Sequence, residues 1–284
     1  MHDTRKFIQT RLLFPKACSH AVTLSYDDGV QQDRRMLEVL DRYGLKCTFN
    51  LSSGLLPESG GQWYLPSCEV AELYRGHEVA AHGLTHPWLT RCTHARAVYE
   101  CVEDRHRLEK LVQYPIRGMA YPYGDYNEDV ITALDAAGLR WCRTVAANGG
   151  FALPERFLEW HPTAHHSDPK LLERFDSFLK IKEQLAIFYL WGHSYEFDKD
   201  GGWSLLEKFC QRARQASDAG ECEGGASIYF ATNGEIYDYL KAAEQLVFSA
   251  DETIAVNHSS LSLWLRAPQG AAVEVPSGAV ALLG

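Results

Sequence analysis

Short apolar runs alternate along this chain with longer stretches whose apolar residues return at the helical period. Residues 21–26 read as a strand. From Gln31 to Tyr43 apolar residues fall at 36, 37, 39, 40 and 43, and Gly44 closes the predicted helix. The same reading gives strands at 46–51, 78–82, 117–121, 139–144, 158–161, 185–190 and 227–230. Helices fall between them at 70–76, 95–112, 127–137, 169–182, 205–219 and 234–248. Gly54, Pro57, Gly60, Gly61 and Pro66 mark 53–66 as a loop.

Strands alternating with helices imply βα units and a parallel sheet. Asp27, Asp28, His82, Tyr123 and His193 each follow a predicted strand, and βα barrels carry their sites at that rim. No glycine-rich nucleotide fingerprint follows any strand. The expected fold is therefore α/β, a distorted (β/α) barrel of about seven parallel strands. From Thr253 onward the pattern changes to short strands at 261–266, 272–275 and 280–283, punctuated by Pro268-Gln269-Gly270 and Pro276-Ser277-Gly278. We expect residues 1–250 to form the barrel and 251–284 a small antiparallel β appendage on its edge or floor. Trp264 is the one hint of a carbohydrate-binding face there.

The net charge of −9 removes nucleic acid and other anionic polymers as partners, since these need a basic surface. A neutral sugar stays permitted. No stretch is long and apolar enough to cross a bilayer, and Met1 to Ile8 lacks a leader pattern. The expectation is a cytoplasmic protein with no membrane partner. Eight cysteines without a CxxC pair fit reduced structural thiols.

The candidate chemistry begins at Asp27 and Asp28, which close the first apolar run ahead of Gly29. His82 and His86 follow, four residues apart, with Gly83 where the HExxH metalloprotease motif needs its glutamate. His193 ends a later run. One aspartate and two histidines make a divalent-metal site with room for water. A remaining aspartate and histidine can then act as general base and general acid. The chemistry indicated is metal-assisted hydrolysis. No G-x-S-x-G sequence offers a competing serine nucleophile.

Over most of residues 20–240 the chain resembles the polysaccharide deacetylases with the NodB homology domain, the family 4 carbohydrate esterases. Thr23 to Gly29 is similar to the family's TFDDG motif, and Gly76 to Pro87 to its second motif. The resemblance implies Asp27 as base and Asp28, His82 and His86 as ligands of one divalent metal. Zinc suits this donor set best, with cobalt, nickel or manganese as substitutes. Tyr121-Pro122-Tyr123-Gly124 resembles RPPYG, which implies a backbone N–H of Tyr123 in the oxyanion site. Leu190-Trp191-Gly192-His193 resembles the fifth motif, implying Leu190 in the acetyl pocket and His193 as acid.

Two motifs depart from the family pattern. Ala120 stands at the arginine of the third motif, and Arg117 would point the other way. Arg156-Phe157-Leu158-Glu159-Trp160 is the nearest approach to DxxDW, with Glu159 as the acid-orienting carboxylate. Beside it, Trp160, His165 and His166 are either a sugar-stacking rim or ordinary loop residues. The implied substrate is an N- or O-acetylated sugar or oligosaccharide. The rival readings are hydrolysis of a small non-sugar amide and a non-catalytic carbohydrate-binding relative.

Overall fold

The structure, a computed structural model, describes residues 10–182, 185–199 and 201–284. The segment Met1 to Ile8, read above for a leader, lies outside the described residues. A short strand β1 (Leu12–Leu13) precedes the barrel strands β2 (His20–Asp27), β3 (Cys47–Leu51), β4 (Glu78–Ala81), β5 (Gly118–Ala120), β6 (Trp141–Arg143), β7 (Ala164–His165), β8 (Ala186–His193) and β9 (Ile228–Phe230). The helices are α1 (Asp33–Tyr43), α2 (Val70–Leu73), α3 (His94–Val112), α4 (Glu128–Ala136), α5 (Leu171–Phe178), α6 (Gly202–Ala219) and α7 (Asn233–Ala243).

The barrel strands pair in the order β6-β5-β4-β3-β2-β8-β7, with β9 joined to the start of β2, and every pair is parallel. The expected α/β barrel is thus the observed architecture, as a curled parallel sheet. β2 is buried along its whole length, as a parallel strand covered on both faces must be. Val22, Leu24 and Tyr26 pack outward in one cluster with Met36, Phe49, Leu108, Phe188 and Phe209. Ala21, at the start of the strand, shares a second cluster with Trp141, Trp160, Ile187 and Tyr189.

Two edges of the sheet meet through one irregular segment. The Trp160 N–H donates to Cys142 O at 2.9 Å on one side, and the Thr163 N–H donates to Tyr189 O at 2.8 Å on the other. The strand expected at 158–161 is in fact a 3-10 turn, Phe157–Glu159, followed by a single bridging residue. Pro162 lacks the N–H that would continue a ladder there.

The tail sheets reach beyond residues 251–284. One has the order β1-β12-β13, with β12 at Leu263–Arg266 and β13 at Ala272–Val275. The other has the order β10-β11-β14, with β10 at Leu246–Phe248, β11 at Ile254–Asn257 and β14 at Val280–Leu282. The helix predicted to run to 248 therefore stops at Ala243 and gives way to a strand. Leu12, Phe14, Leu263, Leu265 and Val275 pack with the inward residues at the strand starts, so these sheets cover the barrel floor. All eight cysteines are free. Among the described residues no helix is long and apolar enough to cross a membrane.

Candidate active site

Opposite that floor, the strand ends bring together the residues singled out by the sequence. Asp27 ends β2 with its side chain inward and 3 % exposed. Asp28 then turns at φ 84, and its N–H donates to Asn50 O at 3.0 Å. His86 and Tyr123 also sit in the left-handed region, at φ 55 and 59. Such φ values are uncommon outside glycine, and they gather at functional sites when the surrounding structure enforces them.

Asp28 Oδ1 lies 3.8 Å from both His82 Nε2 and His86 Nε2, and the two nitrogens are 3.1 Å apart. These three atoms converge on one point. His82 Nδ1 donates to Ala120 O at 2.8 Å, which leaves the Nε2 lone pair facing that point. A carbonyl behind a ligating imidazole is the usual way to fix its tautomer. Burial, with His82 beside it, pushes His86 down to about 4, so the ring is neutral as a ligand must be. The residues fit a divalent metal with open positions for water or a carbonyl oxygen.

Asp27 lies beside this cluster. Its Oδ2 is 3.9 Å from His82 Nε2 and 4.0 Å from His193 Nε2. Asn50 Nδ2 donates to its Oδ1 at 2.9 Å. The fully buried Arg143, at the end of β6, donates through Nη2 to its Oδ2. Burial pushes the Asp27 carboxyl up, but Arg143, His82 and His193 together outweigh it and hold the group below its ordinary value. Arg143 is thus the restraint that the third motif lacks, supplied from the neighbouring strand. It is itself held by Ser25 Oγ at 3.2 Å and lies over the Trp191 ring. Arg117 is occupied at the surface with Asp238.

His193 ends β8, and its Nδ1 is 3.3 Å from Glu196 Oε2. Burial lowers its pKa, but Glu196, Asp27 and Asp28 more than offset this, and the net direction is upward from 6.5. At the mouth, Trp88 and Tyr123 stack with centroids 4.2 Å apart and planes 4° apart, and His86 meets the Tyr123 ring edge-on. Across the site Trp63 packs on Tyr195, whose ring lies 5.2 Å from that of His193. Trp63, Trp88 and Tyr123 are 48 %, 40 % and 52 % exposed, which is unusual for large aromatics.

Residues 15–142 match the polysaccharide deacetylase family. A chitooligosaccharide deacetylase of Bradyrhizobium sp. (strain ANU 289) is 32 % identical over 43 % of this chain and 54 % of its own length. A peptidoglycan-N-acetylglucosamine deacetylase of Listeria monocytogenes is 25 % identical over 45 % of this chain and 27 % of its own. The chain is thus similar to polysaccharide deacetylases over a little under half of its length. It spans about half the length of the chitooligosaccharide deacetylases it matches. A Mycobacterium smegmatis structure classed as a polysaccharide deacetylase superposes with a TM-score of 0.61 at 17 % identity, covering 83 % of this chain and 94 % of that one. That likeness speaks to the fold.

Set against the family motifs, three sequence-based assignments need correction. Glu159 does not meet His193: its carboxylate pairs with Arg156 at 2.7 Å, and the acid beside His193 is Glu196. Trp160 is 2 % exposed and packs edge-on against Trp141, Phe157 and Tyr189, so it cannot stack on a substrate. Leu190 packs in the outer core with Phe188, because neighbouring strand residues face opposite ways. Trp191 instead shares the face of His193, and its indole N–H is buried without a partner among the described residues. Arg143 and Glu196 were missed. Arg143 left one weak signal, a charge near the end of the strand predicted over 139–144, which carries Arg140 as well.

Proposed function

We propose that this chain is a divalent-metal-dependent deacetylase that releases acetate from an N- or O-acetylated sugar or oligosaccharide. One observation carries the reading: Asp27 Oδ2 lies within 4.0 Å of both a nitrogen of the Asp28-His82-His86 cluster and the Nε2 of His193. A base, an acid and a ligand set thereby face the same small volume. The named relatives and the exposed aromatic rings of Trp63 and Tyr123 at the mouth support a sugar substrate, since such rings suit the apolar face of a pyranose.

In this reading Asp28, His82 and His86 hold the metal. When bound, it would polarise the acetyl carbonyl and acidify a water. Asp27, ionised and fixed by Arg143 and Asn50, accepts the proton of the attacking water. The Tyr123 N–H donates to the developing oxyanion. His193 gives the proton from Nε2 to the departing amine or alcohol.

The test loads the purified protein with zinc and measures metal content and acetate release from N-acetylglucosamine oligomers, acetylated xylan and small N-acetylated amides. We expect one metal equivalent, acetate from an acetylated sugar, and metal affinity lowered more than about 100-fold in His82→Ala and His86→Ala, beyond the usual effect of an outer-sphere change. Wild-type metal content in both variants, or acetate from the small amides alone, would overturn the reading.

A further inference from the structure

Beyond the roles just given, one oxygen atom collects an unusual set of donors. Glu196 Oε2 lies 3.2 Å from His165 Nε2, 3.4 Å from His166 Nε2, 3.3 Å from His193 Nδ1 and 3.2 Å from the His193 backbone N. We propose that Glu196 is the positioning residue for the general acid, and that His165 and His166 lock Glu196 in place for that task. The inference rests on the reading of His193 as the proton donor.

The proton positions follow from the partners. His165 Nδ1 accepts the Ser167 N–H at 3.2 Å, so its own proton sits on Nε2 and points at Glu196. His166 Nδ1 is buried and has no partner among the described residues. A bare Nε2 on that ring would face a carboxylate oxygen, lone pair against lone pair. The proton therefore sits on Nε2, facing the carboxylate at 3.4 Å. His193 in turn donates from Nδ1, which directs Nε2 toward Asp27 and the metal-ligand cluster. The neutral ring is thus held with its proton on Nδ1, so the proton that makes it an acid is carried on Nε2 and can be delivered into the site.

The packing leaves these groups little freedom. His166 stacks on Tyr26 with planes 3° apart and lies 4.3 Å from the Phe197 ring. Gly192 makes room for it: a Cβ there would fall 2.0 Å from His166 Nδ1. Glu196 also accepts the His193 backbone N–H across the start of the 3-10 turn Ser194–Asp198. Strand end, turn and imidazole pair thus converge on a single carboxylate. His165, His166 and Glu196 also have the spacing of a metal-binding group. A metal on His166 Nε2, however, would force the proton onto Nδ1, where no acceptor waits among the described residues, and ligating imidazoles ordinarily have one.

The experiment compares Glu196→Gln, Glu196→Asp and the double variant His165→Asn/His166→Asn with wild type and His193→Ala, all as zinc-loaded full chain. Two substrates are used, an N-acetylglucosamine oligomer and p-nitrophenyl acetate, whose leaving group needs no proton. We expect Glu196→Gln to lower kcat on the amide about 10- to 100-fold with KM unchanged, while the activated ester and the metal content stay near wild type. The double variant should show the same split, which keeps the test alive if a Glu196 variant fails to fold. Equal loss on both substrates would mean a merely structural role and would overturn the proposal. Full amide turnover in Glu196→Gln alongside loss in His193→Ala would overturn this inference alone. Full amide turnover in His193→Ala would instead remove the acid assignment beneath it. A second zinc equivalent that vanishes in the double variant would replace the proposal with a second metal site.

Discussion

At the scale of single residues, the ion pair between Arg143 and Asp27 decides whether the proposed base is ionised. Both groups are almost wholly buried, and a buried carboxylate without a cation takes up a proton. Arg143→Leu removes the main opposition to burial, so the Asp27 pKa should rise. The sign can be followed in the pH profile of kcat/KM on zinc-loaded protein. In wild type Asp27 is held below 3.8 and stays ionised through the neutral range, while His193, raised above 6.5, loses its proton as pH climbs through that raised value. Activity should therefore fall on the alkaline side in both proteins. Only in Arg143→Leu should the acidic limb move up, with turnover reduced by about 10²-fold or more. An unmoved acidic limb would refute the pairing. Asp27, Asp28, His82 and His86 were legible in the sequence because each stands in or beside a strand end with its neighbours in view. Arg143 was not, because its contact crosses the barrel between residues 116 positions apart. Leu190 shows the other failure: a slip of one position on a strand exchanges the faces, and Trp191 is the residue that meets the site.

At the scale of elements, α3 does more than cover the sheet. Glu100 and Asp104, one helical turn apart, are both fully buried. Asp104 accepts the Ser53 N–H at 2.7 Å and the His82 N–H at 3.0 Å, and Glu100 accepts the Thr85 N–H at 2.9 Å. One helix face thus clamps the loop that carries both histidines. Asp104→Ala would strand two buried N–H groups at about 1–3 kcal/mol each. Denaturant unfolding should show a loss of that order, with weakened zinc binding beside it; unchanged stability and affinity would refute the clamp. The helix itself was visible in its sequence pattern. Its inward carboxylates were not, since charges on a helix usually read as a solvated face. The 158–161 segment failed in the opposite direction: its apolar residues suggested a strand, and Pro162 with the bonds to both sheet edges made it a bridge.

At the scale of the whole molecule, the parallel barrel could be read from the alternation of elements, whereas the partners of the tail could not. Pairing between residues as distant as Leu13 and Trp264 leaves no local trace. Asn257, fully buried, donates from Nδ2 to the carbonyls of Leu261, Val275 and Pro276 at 2.7, 2.9 and 3.1 Å. Asn257→Ala should cost about 1–3 kcal/mol in unfolding free energy by leaving these acceptors unsatisfied, with kcat of the surviving fold unchanged because the floor is remote from the mouth. A loss of turnover without loss of stability would contradict that separation. The irregular bridge across the sheet edges has a different kind of consequence. The proposed ligands and base stand on β2, β4 and their loops, while the donor and its imidazole escort stand on β8 and the far side of the bridge. The two halves come from separate stretches of the chain, although β2 and β8 pair side by side with Asp27 opposite His193. A descendant of this chain could surrender its proton donor and persist as a metal-bearing sugar receptor, or keep the donor and exchange its metal, with the same barrel beneath either trade.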